Sequence, residues 1–224
     1  MRRRTLIRQE TQVVFSTALE REVTVDFYYP KRLPRQPLRL CICQDGQDVR
    51  RMNLPQILAQ LWREGYPPLL FVAVHANADR MQEYGTYARV DYMGRGARSP
   101  LYVDFVRHEL LPLLTEKFTI STDPRHRTVA GFSLGALPAF DLAWHFPQTF
   151  GQVGVFSGAL WWRAAKFNPQ DPDANRILHL QVAQSVTVPA VRYWFQTGTE
   201  DETEEKSKRR RTSRVKKADA EEPE

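Results

Sequence analysis

Two alternating runs open the chain. Residues 7–15 and 23–29 switch between apolar and polar positions and are joined by a short polar turn, which predicts an antiparallel hairpin. Pro30, Pro34 and Pro37 end it. Residues 38–43 form a short apolar strand that runs into Asp45-Gly46-Gln47-Asp48. Asn53 then caps a predicted helix with Leu54, Ile57, Leu58, Leu61 and Trp62 as its apolar stripe and Gly65 as its stop. Residues 69–74 are continuously apolar, as in a strand covered on both faces. Residues 75–100 are polar and rich in Gly and Arg, and predict a long loop. Helical spacing returns over residues 101–117, with Pro112 expected to kink or end the helix.

The second half repeats the alternation of strand and helix. Strands are predicted at 127–130, 152–156 and 191–196. Helices are predicted at 134–146 and at 172–184, the latter capped by Asp171. An antiparallel start therefore feeds a mainly parallel sheet with helices on both faces. After Glu202 the pattern stops. Residues 203–224 are mostly Lys, Arg, Glu, Asp and Ser, with Val215 as the one aliphatic of any size, and predict a charged, disordered tail. The expected organisation is one domain over residues 1–202 and a tail over 203–224.

Composition changes this picture little. The 224 residues suffice for one α/β domain, and the net charge of +6 is concentrated at the two ends. That distribution argues against a nucleic-acid surface. No apolar run is long enough to span a membrane, and the basic N-terminus lacks the apolar segment of a secretory signal. Cys41 and Cys43, the two cysteines of the chain, lie two apart on one predicted strand and read as buried reduced thiols. These features predict a cytoplasmic protein with no membrane partner and no nucleic-acid partner.

The candidate chemistry is concentrated at Gly131-Phe132-Ser133-Leu134-Gly135. A G-x-S-x-G run between a strand and a helix is the pattern of a nucleophile elbow. The turn is so sharp that side chains two residues either side of the serine would clash, so glycine is required there. The helix that follows aims its N-terminal N–H groups at a developing oxyanion. Ser133 is the expected nucleophile, and the Leu134 N–H is one expected oxyanion donor.

The sequence resembles the esterase D and enterochelin-esterase-like branch of the α/β-hydrolases over about residues 20–202. The resemblance is carried by Asp45 to Asp48, by His75 with Asp79-Arg80 and Glu83-Tyr84-Gly85, and by Glu109 to Pro112. It continues through Arg127 to Gly135, His145-Phe146-Pro147 with Phe150, and Ser157-Gly158 followed by Trp161-Trp162. It implies a serine esterase acting on a small-molecule carboxylic ester, or a related acyl bond, through an acyl-enzyme, with no metal and no organic cofactor. The second oxyanion donor would come from Gly46 or Gln47, and the acid from Asp201, with Glu200 as runner-up. His75, Arg80, Glu83, Arg89, Arg95, Trp161 and Trp162 would line or cover the cleft.

One part of the pattern is missing. The expected chain order is Ser, acid, His, and no histidine follows His179. The last strand and its His-bearing loop are replaced by the charged tail. The expectation is an esterase impaired by the lack of its base, through a truncated or frameshifted reading frame. The alternative is a non-catalytic α/β-hydrolase-fold protein that binds an ester or a partner.

Overall fold

The computed structural model describes residues 6–198. Seven strands form one sheet: β1 (Ile7–Ser16), β2 (Arg21–Pro30), β3 (Arg39–Gln44), β4 (Leu69–Val74), β5 (Arg127–Phe132), β6 (Gln152–Phe156) and β7 (Arg192–Gln196). Their spatial order is β1-β2-β4-β3-β5-β6-β7. The β1/β2 and β2/β4 pairs are antiparallel, and all pairs from β4 to β7 are parallel. This is the mainly parallel sheet with an antiparallel entrance that the alternation of apolar runs predicts. Among the described residues β7 is an edge strand with no eighth strand beside it.

The helices are α1 (Gly46–Val49), α2 (Leu54–Arg63), α3 (Arg80–Glu83), α4 (Ser99–Asp104), α5 (Leu111–Lys117), α6 (Ala136–His145) and α7 (Ile177–Gln184). Alternate strand positions feed two cores. Leu40, Ile42, Val72 and Val129 pack with α4 and α6 in the larger one. Cys43, Ala73 and Ala130 pack with Leu54 and Leu58 of α2 in the smaller one. Cys41 and Cys43 therefore share a face, as their spacing requires. Both are free thiols, with Cys43 buried and Cys41 partly so.

The central helix is α6. Every residue from Ala136 to Trp144 is buried, so the segment shows no amphipathic stripe. Burial of this whole element against β5 and β6 stabilises the elbow at about 25 cal/mol per Å² of apolar surface removed from water.

Three expectations are corrected. The helix predicted over 101–117 begins at Ser99 and runs through Pro112 without ending. It does so by widening into a π-helical stretch (Phe105–Leu110) between α4 and α5. A proline inside a helix has no N–H to donate and crowds the carbonyl four residues back, and the wider turn just before it accommodates both. The helix predicted over 172–184 is shortened to α7. Asp171 does not cap it but closes a turn with Asn168, and Asn175 is left-handed at φ +59°, which interrupts helical continuation. Asn53 does stand at the start of α2, but with φ +50° and no side-chain cap bond.

The loop predicted over 75–100 contains α3 and is anchored by buried ion pairs. Glu83, buried to 1%, receives Arg21 Nε at 2.7 Å and Nη2 at 2.5 Å. The buried Asp141 of α6 accepts the Tyr87 N–H at 2.5 Å and lies 3.3 Å from His145 Nε2.

This last pair makes stability depend on pH. The Asp141 carboxylate beside it holds the His145 imidazole above its ordinary value of 6.5 against the opposing effect of burial. The ion pair is fully formed below the unfolded value and is lost as pH rises through the higher folded one. His145→Gln is therefore expected to destabilise the chain more at about pH 5 than at about pH 9 in urea unfolding. An equal loss at both ends would show that His145 contributes packing alone.

Candidate active site

Ser133 lies just past the C-terminal end of β5, in a single 3-10 turn (Ser133–Gly135) that leads into α6. It is exposed, and its backbone is left-handed at φ +50°. A non-glycine residue there is strained by about 1–3 kcal/mol. Two close approaches impose that geometry. A Cβ on Gly131 would fall 2.1 Å from the Gly135 carbonyl oxygen, and a Cβ on Gly135 would fall 2.6 Å from Asp45 Oδ2. The first glycine lets α6 start directly above its own strand. The second lets the loop after β3 press against the elbow. The Ser133 carbonyl accepts the Ala159 N–H at 2.9 Å, which braces the turn from the loop after β6.

The loop after β3 is itself fixed from several sides. Asp45, 4% exposed and left-handed at φ +59°, accepts Arg80 Nε at 2.6 Å and Nη2 at 2.5 Å. Its backbone N–H donates to the Tyr84 hydroxyl at 3.3 Å. Burial pushes the Tyr84 phenol far above its ordinary range, so it remains a neutral hydroxyl. Gln47 donates from Nε2 to Asp45 at 3.2 Å and accepts the Ala76 N–H at 3.0 Å, joining this loop to the one after β4. Gly46 is buried and packs so closely on β4 that a Cβ would meet the Ala73 carbonyl carbon at 2.5 Å. Gly46, Gln47, Leu134 and Ser133 thus belong to one connected unit, in which Asp45 is the direct link to the elbow.

Asp45 is the residue that sequence reasoning missed. The available signal was the Asp-Gly pair itself, but its partner Arg80 stands 35 positions away. Arg80, expected to line the cleft, is held by Asp45 and packs over the Tyr84 ring at 5.4 Å.

The remaining expected residues divide. His75 follows β4 beside Gly46, and its Nε2 lies 3.0 Å from Asp26 Oδ2. Burial would raise the Asp26 carboxyl, but hydrogen bonds from Arg50, Thr11 and His75 outweigh it and hold the group below its usual range. Glu83 and Trp162 are scaffold. Glu83 is tied to Arg21, and Trp162 is fully buried beneath Arg95, whose guanidinium lies 4.8 Å from the ring. Arg95 also donates to Asp91 at 2.6 Å. Trp161 is partly buried and Arg89 exposed. Asp201 and Glu200 lie outside the described residues.

All five histidines lie within the described residues. His108 stands near Asp104, His126 bonds Ser121, His145 pairs with Asp141, and burial lowers the His179 imidazole. Among the described residues none hydrogen-bonds Ser133. No group of His, Cys, Asp and Glu among those residues has the arrangement of a metal site.

Ser133 thus stands on a left-handed turn, clamped by glycines between β5 and the buried α6. A model of the family described as putative esterase matches residues 16–222. The chain belongs to the putative esterase family. Among proteins similar to it, the iron(III) enterobactin esterase of Escherichia coli K12 is 31% identical over 128 residues, 55% of this chain and 29% of that protein. The uncharacterized protein YbbA of Bacillus subtilis is 23% identical over 126 residues, 54% of this chain and 50% of that protein. The chain thus spans half or less of these curated relatives. The solved enterobactin esterase of Shigella flexneri superposes with a TM-score of 0.67 at 22% identity, covering 83% of this chain and 45% of that one. The BES protein of Bacillus cereus superposes at 0.61 and 16% identity, covering 85% and 87%. At these identities the superpositions show the fold, that of the α/β-hydrolases. No helix among the described residues is long and apolar enough to cross a membrane.

The close approach at Gly131 separates backbone strain from steric clash. Gly94, at φ +73° with nothing near its missing Cβ, should lose about 1 kcal/mol on substitution by alanine. Gly131→Ala should lose about 3 kcal/mol or more, or fail to fold, because backbone atoms must move. Urea-unfolding midpoints of the two variants check this. Equal losses would mean that the elbow is not tightly closed.

Proposed function

We propose that the chain is an ester hydrolase in which Ser133 attacks a carboxylic ester and forms an acyl-enzyme. The observation that carries this reading is the Ser133 backbone itself. A left-handed serine held against two glycine contacts has a strain cost with little structural purpose, and it presents the hydroxyl where α6 begins. In the proposed reaction Oγ bonds to the acyl carbon and the ester alcohol leaves with the serine proton. The carbonyl oxygen becomes an oxyanion that accepts the Leu134 N–H and one from Gly46 or Gln47. Water then cleaves the acyl-enzyme. This chemistry uses neither a metal nor an organic cofactor.

In this reading Asp45 and Arg80 are positioning residues that hold the oxyanion loop. Trp161, only partly buried, is the aromatic candidate for the acyl group. Asp201, or Glu200, is the proposed acid. A carboxylic ester as substrate agrees with the relatives, among them an iron(III) enterobactin esterase. In the described arrangement no histidine hydrogen-bonds Ser133, and within it the proton leaves Oγ without a histidine base. Binding and an oxyanion hole alone still support residual catalysis.

One observation favours a second reading. His75, which lies beside Gly46, bonds Asp26 through Nε2 and makes no bond to Ser133 among the described residues. With no histidine bonded to Ser133 in the described residues, the fold can serve as an ester-binding protein without turnover.

An aryl phosphonate separates the two, because its phosphorus reports the nucleophile and the oxyanion hole together. Slow stoichiometric labelling is expected, mapped to the Ser133 peptide and absent in Ser133→Ala. Equal labelling of both proteins, or none of either, would contradict the hydrolase reading and leave the binding one.

A further inference from the structure

The loop after β3 is held by two buried hydroxyls as well as by Arg80. Tyr84 follows α3 and Tyr102 lies in α4, and both are buried to 1% or less. Their rings meet edge to face with centroids 5.2 Å apart. The Tyr84 hydroxyl accepts the Asp45 N–H at 3.3 Å and is hydrogen-bonded to the Tyr102 hydroxyl. The Tyr102 hydroxyl donates to Oε1 of Gln44, which is itself fully buried. Gln44 is the last residue of β3 and Asp45 the first after it. The relay of bonds therefore leaves the backbone at Asp45 and returns to it one residue earlier.

The relay has a direction, because a phenol has one proton to donate. The Tyr102 proton goes to Gln44, so the Tyr102 oxygen is free to accept. The Tyr84 oxygen takes the Asp45 proton, and its own proton goes to the Tyr102 oxygen. Each hydroxyl thus accepts once and donates once. Gln44 Nε2 alone in this group has no partner among the described residues. Turning the Gln44 amide over would leave its oxygen and one tyrosine proton without partners, and buried orphans of this kind are costly. Burial also raises both phenols far above their ordinary range, so the relay keeps its protons. Hydrogen bonds aligned head to tail polarise and strengthen one another.

We propose that Tyr84 and Tyr102 are positioning residues for the loop that carries Gly46 and Gln47, and that their one-way relay fixes the Asp45 peptide from which the second oxyanion donor is presented. This deepens the acyl-enzyme reading of Ser133 and rests on it. Asp45 is left-handed at φ +59°, a strained conformation for a residue with a side chain, which persists only where the surroundings impose it. Two grips impose it here. Arg80 holds the carboxylate and Tyr84 holds the N–H, and both come from the one short helix α3 and its end. With the N–H released, the Asp45 peptide is free to rotate, and the donors that follow it turn with it. Both tyrosines are buried, so they act through the loop and not on the substrate.

The test is saturation kinetics of aryl-phosphonate labelling on the full chain, which separates the rate constant of labelling from the binding constant, together with hydrogen exchange of the Asp45 amide. Tyr84→Phe should lower the rate constant by at least about tenfold, with the binding constant little changed, and should speed exchange at Asp45. Tyr102→Phe should lower the rate constant less, because the bond from Asp45 to Tyr84 remains. Added to Tyr84→Phe it should have no further effect, since it acts only through Tyr84. Tyr29→Phe removes a different buried hydroxyl, one bonded to Glu10, and should keep the wild-type rate constant and exchange. A wild-type rate constant in Tyr84→Phe, an equal fall in Tyr29→Phe, or additive losses in the double variant would overturn the proposal. A wild type that never labels at Ser133 contradicts the hydrolase reading instead, and the exchange then decides the relay by itself. Faster exchange at Asp45 in Tyr84→Phe but not in Tyr29→Phe supports it, and any other pattern overturns it.

Discussion

The arrangement depends on one close approach, that of the backbone at Gly131 to the carbonyl of Gly135. Because no side chain stands there, the chain can reverse from β5 into α6 within a single turn, and the helix begins directly over its strand. Three consequences follow. α6 is buried on every side. Ser133 is left with a left-handed backbone and an exposed side chain. The space at Gly135 is filled by the Asp45 carboxylate, so the loop after β3 is positioned by the elbow and not by its own sequence alone. The local strain at Ser133 and Asp45 costs about 1–3 kcal/mol each, and it persists because the burial of α6 and the paired carboxylates around it outweigh that cost.

The same logic extends outward through buried ion pairs. Arg80 holds Asp45, Arg21 holds Glu83, and Asp141 holds both His145 and the Tyr87 backbone. The Arg80 and Arg21 pairs and the Asp141–Tyr87 hydrogen bond tie the long segment between β4 and α4 to the sheet or to α6. Breaking a buried pair leaves an uncompensated charge, at a cost of about 3–5 kcal/mol. The segment is therefore a positioned wall of the site although little of it is regular structure. The elbow, the β3 loop and this wall form one mechanically connected group at the C-terminal edge of the sheet.

Most strands and the elbow were legible in the sequence because their signals are local. The alternation of residues 7–15 and 23–29 gives the hairpin, the apolar run at 69–74 gives the doubly covered strand β4, and the glycine spacing around Ser133 gives the turn. What was not legible depends on distant partners or on backbone choices without a compositional mark. Residues 168–176 look helical after Asp171, yet Asn175 adopts a left-handed conformation and the Arg163–Arg176 bridge holds the segment open. Pro112 signals a helix end, but the π-helical stretch before it absorbs the misfit. Glu83 and Arg80 read as cleft-lining charges until Arg21 and Asp45 are brought to them by the sheet order. The link from Asp45 to Gly135 is of the same kind, which is why the site was read with its nucleophile and without the residue that seats it.

The central claim is that the strained turn makes Ser133 a nucleophile even where no described histidine serves it. An activated aryl ester tests it most directly, because its leaving group needs no protonation while deacylation still needs an activated water. Mixing the chain with excess ester and following released phenol together with intact protein mass should give a slow burst approaching one equivalent. The acyl group should be retained on the Ser133 peptide. Release of phenol with no acylated protein, or an acyl group found on lysines and not on Ser133, would contradict the account.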